Sequence, residues 1–175
     1  MAGALELFTA DKPDSQEICF IPDGDYSAFI KNLGYKTKYG WLMSPEGKRL
    51  RRHDGVHNFT IGQRKGLNLS MGHPVFVTKI CAKTGDVVIG KNEDVFSNTL
   101  ICDRVNFMGM EDLREPRKVM AKIRYAHKGD MCLLERLDEN RIRCTFENPV
   151  RAITPGQAVV FYEQDYVLGG GTIIG

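Results

Sequence analysis

Cys19 is the residue of this chain whose surroundings best suit covalent chemistry. It follows a polar segment that begins at Lys12 and lies in a short apolar run closed by Pro22. A cysteine reacts as its thiolate, so a reactive thiol needs partial exposure and a nearby positive charge or helix N-terminus to lower its pKa. Lys12 is a candidate for that charge. The competing interpretation, which composition alone favours for a lone cysteine, is an inert and buried small hydrophobic residue.

The remaining cysteines and two histidines fit such structural roles. Each of these cysteines lies in an alternating apolar segment, where burial is predicted; they are Cys81, Cys102, Cys132 and Cys144. The total of five is odd and includes no C-x-x-C pair, which argues against a disulfide framework and against a zinc ribbon. His53 and His57 have no cysteine close in sequence to complete a site, so we predict two polar loop histidines and no metal.

A second candidate for chemistry is the segment Thr60–Leu67 (TIGQRKGL), in which Gly62 and Gly66 bracket the dibasic pair Arg64 and Lys65. Glycines permit positive φ and close approach of the backbone, so such a tip suits phosphate contact. The segment has too few glycines, and no Ser or Thr after its lysine, to be a nucleotide P-loop. A plain exposed turn is the alternative.

Basic residues are concentrated in two stretches, although the formal net charge is only +2. Residues 48–65 contain six basic residues and one acid, and residues 117–128 contain five basic residues and no acid. If the two stretches meet in space, they form a footprint for a polyanion. Solvated strand faces are the alternative explanation for either stretch.

The elements that must position these residues are mostly strands. One helix is predicted, capped by Asp23 or Asp25 and ended by Gly34, because apolar side chains recur at helical spacing at Tyr26, Phe29, Ile30 and Leu33. Beyond it, short apolar runs are separated by glycine, proline, asparagine and aspartate, which indicates antiparallel β structure.

Several of these runs pair as hairpins. Val75–Ala82 and Val87–Ile89 are joined across Lys83–Asp86, and Leu133–Leu137 and Ile142–Phe146 across Asp138–Asn140. Further strands are predicted over 158–162 and 166–168. A small closed barrel would remove the exposed edges of so many short strands. Glycines in Pro155–Gln157 (PGQ) and Leu168–Ile173 (LGGGTI) suit tight turns and close chain passage at barrel closure.

The strand near residue 120 has one apolar and one largely cationic face. Val119, Ala121 and Ile123 alternate with Lys118, Met120, Lys122 and Arg124. Tyr125 follows Arg124, and the two together offer a ring for base stacking and a guanidinium for phosphate, a combination common on RNA-binding sheets. Tyr125 also continues the apolar series, so alternation leaves the inward and the outward orientation equally open.

The ordered motifs resemble the tRNA-specific 2-thiouridylase family, also described as tRNA (5-methylaminomethyl-2-thiouridylate)-methyltransferases. They are KPDSQEICFIP at 12–22, TIGQRKGL at 60–67, KIRY at 122–125, PGQ at 155–157 and LGGGTI at 168–173. Nothing in the chain resembles a methyl-donor site. The resemblance implies an enzyme that uses ATP to adenylate the C2 oxygen of the wobble uridine, after which a cysteine persulfide delivers sulfur and AMP departs.

By position, the resemblance assigns the persulfide to Cys19 and tRNA contacts to Arg124, Tyr125 and Gln157. Arg64, Lys65 and Lys122 are further expected tRNA contacts. The implied partners are the anticodon region of tRNA, a sulfur-relay or cysteine desulfurase donor, and an N-terminal ATP domain of the same enzyme. The family's Ser-Gly-Gly-x-Asp-Ser loop is absent from these residues. ATP and Mg are therefore expected in that domain, and no cofactor is expected in this chain.

The expected fold is mainly β, a small mixed α/β module followed by a six-stranded antiparallel barrel that resembles a translation-factor barrel. We expect residues 1–15 to be the tail of the ATP domain, 16–92 a central domain with Cys19 and the basic loop, and 93–175 the tRNA-binding barrel. Such a fragment is expected to be cytoplasmic, free of membranes, able to bind tRNA and carry sulfur, and inactive alone. The competing hypothesis is a non-enzymatic RNA-binding β-barrel module, and Cys19 distinguishes the two.

Overall fold

The computed structural model describes Ile21 and residues 25–175. Cys19 lies outside these residues. The chain divides into two compact units, Met1–Thr37 and Lys38–Gly175. The domain boundaries expected after residues 15 and 92 stay predictions.

One α-helix is present among the described residues of the first unit, α1 (Tyr26–Asn32). The Asp25 carboxylate caps it by accepting a hydrogen bond of 2.8 Å from the amide of Ala28, which satisfies a donor that has no partner within the helix. Gly34 follows with φ +77°, as in a glycine-terminated helix. The predicted helix is confirmed. No helix in the described part of the chain has both the length and the apolar character needed to cross a bilayer.

The second unit begins with a four-stranded sheet. Its strands are β1 (Gly40–Met43), β2 (Arg49–His53), β3 (Phe76–Ile80) and β4 (Val87–Gly90). Their order is β2-β1-β4-β3, with β1 and β4 parallel and the other neighbours antiparallel. The predicted β3–β4 hairpin is confirmed. One face of the sheet buries a core formed by Leu42, Leu67, Val75, Val77, Val87 and Ile89.

The remaining six strands form a closed barrel, as predicted. They are β5 (Phe96–Phe107), β6 (Arg117–Lys122), β7 (Asp130–Arg136), β8 (Ile142–Arg151), β9 (Ala158–Glu163) and β10 (Tyr166–Ile173). Around the barrel the order is β10-β5-β8-β7-β6-β9, with every pair antiparallel. The hairpin of β7 and β8 and the strands β9 and β10 were expected from the sequence. Closure leaves each strand with a partner on both sides, so the barrel has no free edge.

Strand β10 closes the barrel through consecutive glycines. A Cβ atom added to Gly170 would lie 2.6 Å from the carbonyl oxygen of Val159 on β9, and one added to Gly171 would lie 2.8 Å from that of Asp103 on β5. Only hydrogen fits at these positions. The LGGGTI motif therefore has the role in close chain passage that its composition predicts.

Three of the cysteines are sealed inside the barrel. Cys102, Cys132 and Cys144 are at most 1% exposed. Hydrogen bonds to the thiols of Cys102 and Cys132, together with burial, raise the pKa of Cys144. A buried thiol with a raised pKa is unreactive. The burial predicted for Cys81 is wrong, because this residue lies just beyond the end of β3 and remains half-exposed.

Candidate RNA-contacting groove

A groove in the second unit brings together residues that are far apart in the sequence. Its lining comes from the loop at 60–63, the end of β6, the end of β8 and the turn before β9, namely Thr60, Ile61, Gly62, Gln63, Ile123, Arg124, Arg151, Ala152, Thr154 and Gln157. Its volume of about 480 Å³ lies within the range of small-ligand sites. Three of the motifs singled out in the sequence contribute to it, TIGQRKGL, KIRY and PGQ.

The loop at 60–63 is held in place by its own hydrogen bonds. The amide of Gly62 donates to Val77 at 2.7 Å, and Val77 donates back to the carbonyl of Gln63 at 2.9 Å, so the loop pairs with β3. The Gln63 side chain accepts from the amide of Thr60 at 2.9 Å and donates to Lys65 at 3.0 Å. Gln63 is thus used in shaping the loop. Its two cationic neighbours in sequence, Arg64 and Lys65, are exposed.

Arg124 forms part of the opposite wall of the groove. Its Nη1 donates hydrogen bonds to two successive carbonyls, those of Arg151 at 2.8 Å and Ala152 at 3.4 Å. These contacts use one nitrogen of a guanidinium that has five N–H donors. Within the described residues Arg124 has no carboxylate partner, and the side chain is exposed. The guanidinium is therefore held in position while retaining donors for a ligand.

Arg151 joins the loop to the barrel, and sequence reasoning did not identify this residue. Its Nη2 donates to the carbonyl of Gly62 at 3.2 Å, and its guanidinium carbon lies 5.5 Å from the ring centre of Phe76 on β3. Its own carbonyl accepts from Arg124. One residue at the end of β8 thus contacts both walls of the groove.

The Gly62–Arg151 contact can be tested through its effect on stability. A Cβ atom on Gly62, whose φ is +86°, would lie 2.9 Å from both the Arg151 guanidinium and the Cβ of Ala152. We expect Gly62→Ala and Arg151→Ala each to lower the free energy of unfolding in urea. Removing the Arg151 side chain relieves part of the clash. The double variant is therefore expected to lose about 0.5–1 kcal/mol less unfolding free energy than the two single variants lose in sum. Strict additivity would contradict the contact.

Gln157 lies in the turn that leads into β9. This turn is fixed by backbone bonds at both ends, from Gly156 to the carbonyl of Ile173 at 2.8 Å and from Ile173 to the carbonyl of Gln157 at 2.8 Å. Gly156 has φ +89°, a conformation that glycine adopts without strain. The Gln157 side chain is exposed at the groove, where its amide can both donate and accept hydrogen bonds.

Tyr125 points outward, which is one of the two orientations that the sequence left open. The side chain is 98% exposed. Strand β6 ends at Lys122, and a turn closed by the bond from His127 to the carbonyl of Arg124 redirects the chain. Val119, Ala121 and Ile123 are buried as the alternation predicts. The exposed ring follows Arg124 directly and is available for stacking.

Carboxylates partly neutralise the positive charge of β6. Arg117 forms an ion pair of 2.6 Å with Glu163, and Lys118 one of 3.1 Å with Glu147. Lys122 instead places its Nζ 5.4 Å from the ring centre of Tyr162. The available positive charge of this stretch is therefore concentrated toward its end, near Arg124.

His53 is not a loop residue. It ends β2 and is buried, with Nε2 2.9 Å from the carbonyl oxygen of Gly85 and Nδ1 accepting from the amide of Gly55 at 3.2 Å. Packing and hydrogen bonding account for it fully. In the part of the chain that the structure describes, no group of three or more His, Cys, Asp or Glu residues could hold a metal ion.

Two family models match this chain. Residues 27–91 match the tRNA methyl transferase PRC-barrel domain, and residues 97–173 match the aminomethyltransferase beta-barrel domain. The first range covers the four-stranded sheet and the second covers nearly the whole closed barrel.

Curated relatives match almost the whole length of this chain. The chain is 47% identical to the tRNA-specific 2-thiouridylase MnmA of Lachnoclostridium phytofermentans, covering 99% of this chain and 49% of the relative. Identity is 43% to the MnmA of Acetivibrio thermocellus, over 98% of this chain and 48% of the relative. The chain thus spans about half the length of the curated relatives it matches. Over almost its whole length, the chain is similar to tRNA-specific 2-thiouridylases.

Proposed function

We propose that this chain is the tRNA-binding and sulfur-carrying part of an enzyme that converts the wobble uridine of tRNA to 2-thiouridine. The groove between the loop at 60–63 and the barrel binds the RNA, and Cys19 holds the sulfur as a persulfide. A sulfur-relay protein or a cysteine desulfurase supplies that sulfur.

The observation that carries the proposal is the convergence of three motifs on one groove. Gln63, Arg124 and Gln157 are separated by 30 residues or more in the chain and line the same depression. The exposed Gln157 amide beside the Arg124 guanidinium suits the sugar, base edges and phosphates of RNA, and Gln63 holds the shape of the loop. Tyr125 adds a fully accessible ring on which an unstacked base can lie.

The ATP-dependent activation of the uridine belongs, in this proposal, to the half of the relatives that this chain does not span. Loops that cradle nucleotide phosphates lead into a helix N-terminus. The loop around Arg64 and Lys65 leads instead into β3. We therefore assign this loop to the RNA backbone, and we expect no 2-thiouridine from these 175 residues supplied alone with tRNA, ATP and sulfide.

Arg124→Ala tests the RNA-binding part of the proposal. We expect the variant to bind tRNA more weakly and to reduce the slope of log K against log salt concentration by about one unit, because one phosphate contact is lost. Fluorescence anisotropy of labelled tRNA across a salt series measures both quantities. Arg143→Ala is the matched control, since Arg143 is an exposed arginine on β8 that lies 4.0 Å from Glu135. Affinity and slope equal to those of the control would remove Arg124 from the site.

A further inference from the structure

We propose that the tRNA-contacting surface extends beyond the groove onto the outer face of the four-stranded sheet, where Trp41 stacks on a base of the RNA. The outer face is the one opposite the buried core of this sheet. This inference rests on the proposed function, because it names a second surface for the same partner.

The register of the sheet determines which residues lie on the outer face. Leu42 pairs with Val87 on β4, and both are buried in the core. Side chains alternate along a strand, so Trp41 and Met43, which flank Leu42, point to the opposite side of the sheet. Met43 pairs there with Val88. All three outer residues are only half-buried.

Positive charge surrounds Trp41. The Arg49 guanidinium lies 5.3 Å from the centre of the Trp41 ring, and Arg52 is the direct cross-strand partner of Trp41. On the other side of the face, Lys79 pairs with Val88. The Asp86 carboxylate accepts from the Trp41 amide at 3.0 Å. Among the residues that the structure describes, Arg49, Arg52 and Lys79 form no ion pair with a carboxylate, so this part of the outer face carries available positive charge.

The outer face is continuous with the groove. Phe76 is on the outer side of β3, since its neighbour Val77 is buried in the core. The Arg151 guanidinium that lines the groove lies over the Phe76 ring. Strands β3 and β1 are separated by β4 alone, which places them about 10 Å apart. A strand of RNA that leaves the groove past Arg151 therefore meets Trp41 within a few nucleotides.

An RNA partner fits the chemistry of this face better than a protein partner. Single-stranded nucleic acid is bound by sheets that combine stacking rings with cations along the backbone. Trp41, Arg49 and Arg52 provide that combination on two adjacent strands. A protein that covered the same face would have to supply acidic groups to match three cations.

The intrinsic fluorescence of the protein provides a direct test, because Trp41 is its one tryptophan. A tRNA transcript with an unmodified wobble uridine is titrated into the chain while tryptophan emission, acrylamide quenching and the anisotropy of labelled tRNA are recorded. We expect emission and acrylamide accessibility to fall together with the rise in anisotropy. Binding by anisotropy with unchanged tryptophan signals would overturn the inference and leave the proposed function intact. An absence of binding would overturn both.

Variants separate stacking from charge. Trp41→Leu is expected to weaken tRNA binding roughly 5- to 100-fold with an unchanged salt slope, because a stacking contact is lost. Arg52→Ala is expected to lower the slope by about one unit. Tyr166→Leu, which removes a 75% exposed ring from β10, is the matched control and should bind as the unaltered chain does. Circular dichroism checks that each variant folds. Folded Trp41→Leu and Arg52→Ala variants with unaltered affinity and slope would contradict the proposal.

Discussion

Replacing Cys19 by serine is expected to abolish the sulfur adduct that the proposed function predicts when this chain is incubated with a persulfide donor. In the proposed transfer, the thiolate of Cys19 would attack the outer sulfur of the donor persulfide, the donor S–S bond would break, and a new S–S bond would form on Cys19 as the donor leaves as a thiolate. A serine hydroxyl cannot accept sulfur in this way. Intact-protein mass spectrometry after incubation with a cysteine desulfurase and cysteine measures the adduct as one added sulfur atom.

Cys81→Ser is the control that shows whether the sulfur adduct is specific to Cys19. Cys102, Cys132 and Cys144 are sealed in the barrel, so Cys81 is the accessible competitor among the described cysteines. A hydrogen bond from the Thr84 hydroxyl also lowers the pKa of the Cys81 thiol, which favours its reactive form. We expect Cys81→Ser to keep the adduct.

The other outcomes have definite meanings. Loss of the adduct in Cys81→Ser alone would assign the sulfur-carrying role to Cys81, in the β3–β4 hairpin. No adduct on the unaltered chain would support the competing hypothesis of an RNA-binding barrel without sulfur chemistry.

Gly170→Val is expected to destabilise the protein by about 3 kcal/mol, the upper part of the range for overpacking in a tightly packed region. The first carbon of the new side chain would lie 2.6 Å from the carbonyl oxygen of Val159, and a backbone atom cannot move aside without disturbing the pairing of β9 and β10. For a protein of this size the expected fall in the melting temperature is roughly 6–12 °C. Thermal and urea unfolding followed by circular dichroism measure the loss.

Ala158→Val is the matched control for Gly170→Val. Ala158 is exposed on β9, where the larger side chain has room and a β-branched residue suits the strand. We expect its free energy of unfolding to change by less than about 0.5 kcal/mol. Equal stability of the two variants would show that the glycines of β10 are not required for barrel closure.

Local patterns sufficed to predict most of the fold. The hairpin of β7 and β8 was predictable because Asp138 suits a turn, and in the structure its carboxylate accepts from the amides of Asn140 and Arg141 at 2.9 Å. The closed barrel followed from the number of short strands that would otherwise have free edges. These features depend on neighbours in sequence or on a general property of sheets.

The end of a strand and contacts between distant residues were not predictable from local patterns. Tyr125 continues an apolar alternation and yet is exposed, because β6 ends three residues before it. Arg151 contacts a loop carbonyl 89 residues away, and nothing in its local sequence indicates this. The groove was anticipated only in part for the same reason, since its motifs were recognisable but the residue that joins them was not.

Arg151 connects the two walls of the groove, and this connection affects how a ligand would bind there. A surface assembled from a loop and a separate barrel would ordinarily have to become ordered as the ligand arrives, and that loss of freedom would weaken binding. Here one guanidinium fixes the loop at Gly62, and the carbonyl of the same residue orients Arg124. The two walls are thus preorganised, and the proposed RNA ligand would meet a receptor whose conformational entropy was already lost when the chain folded.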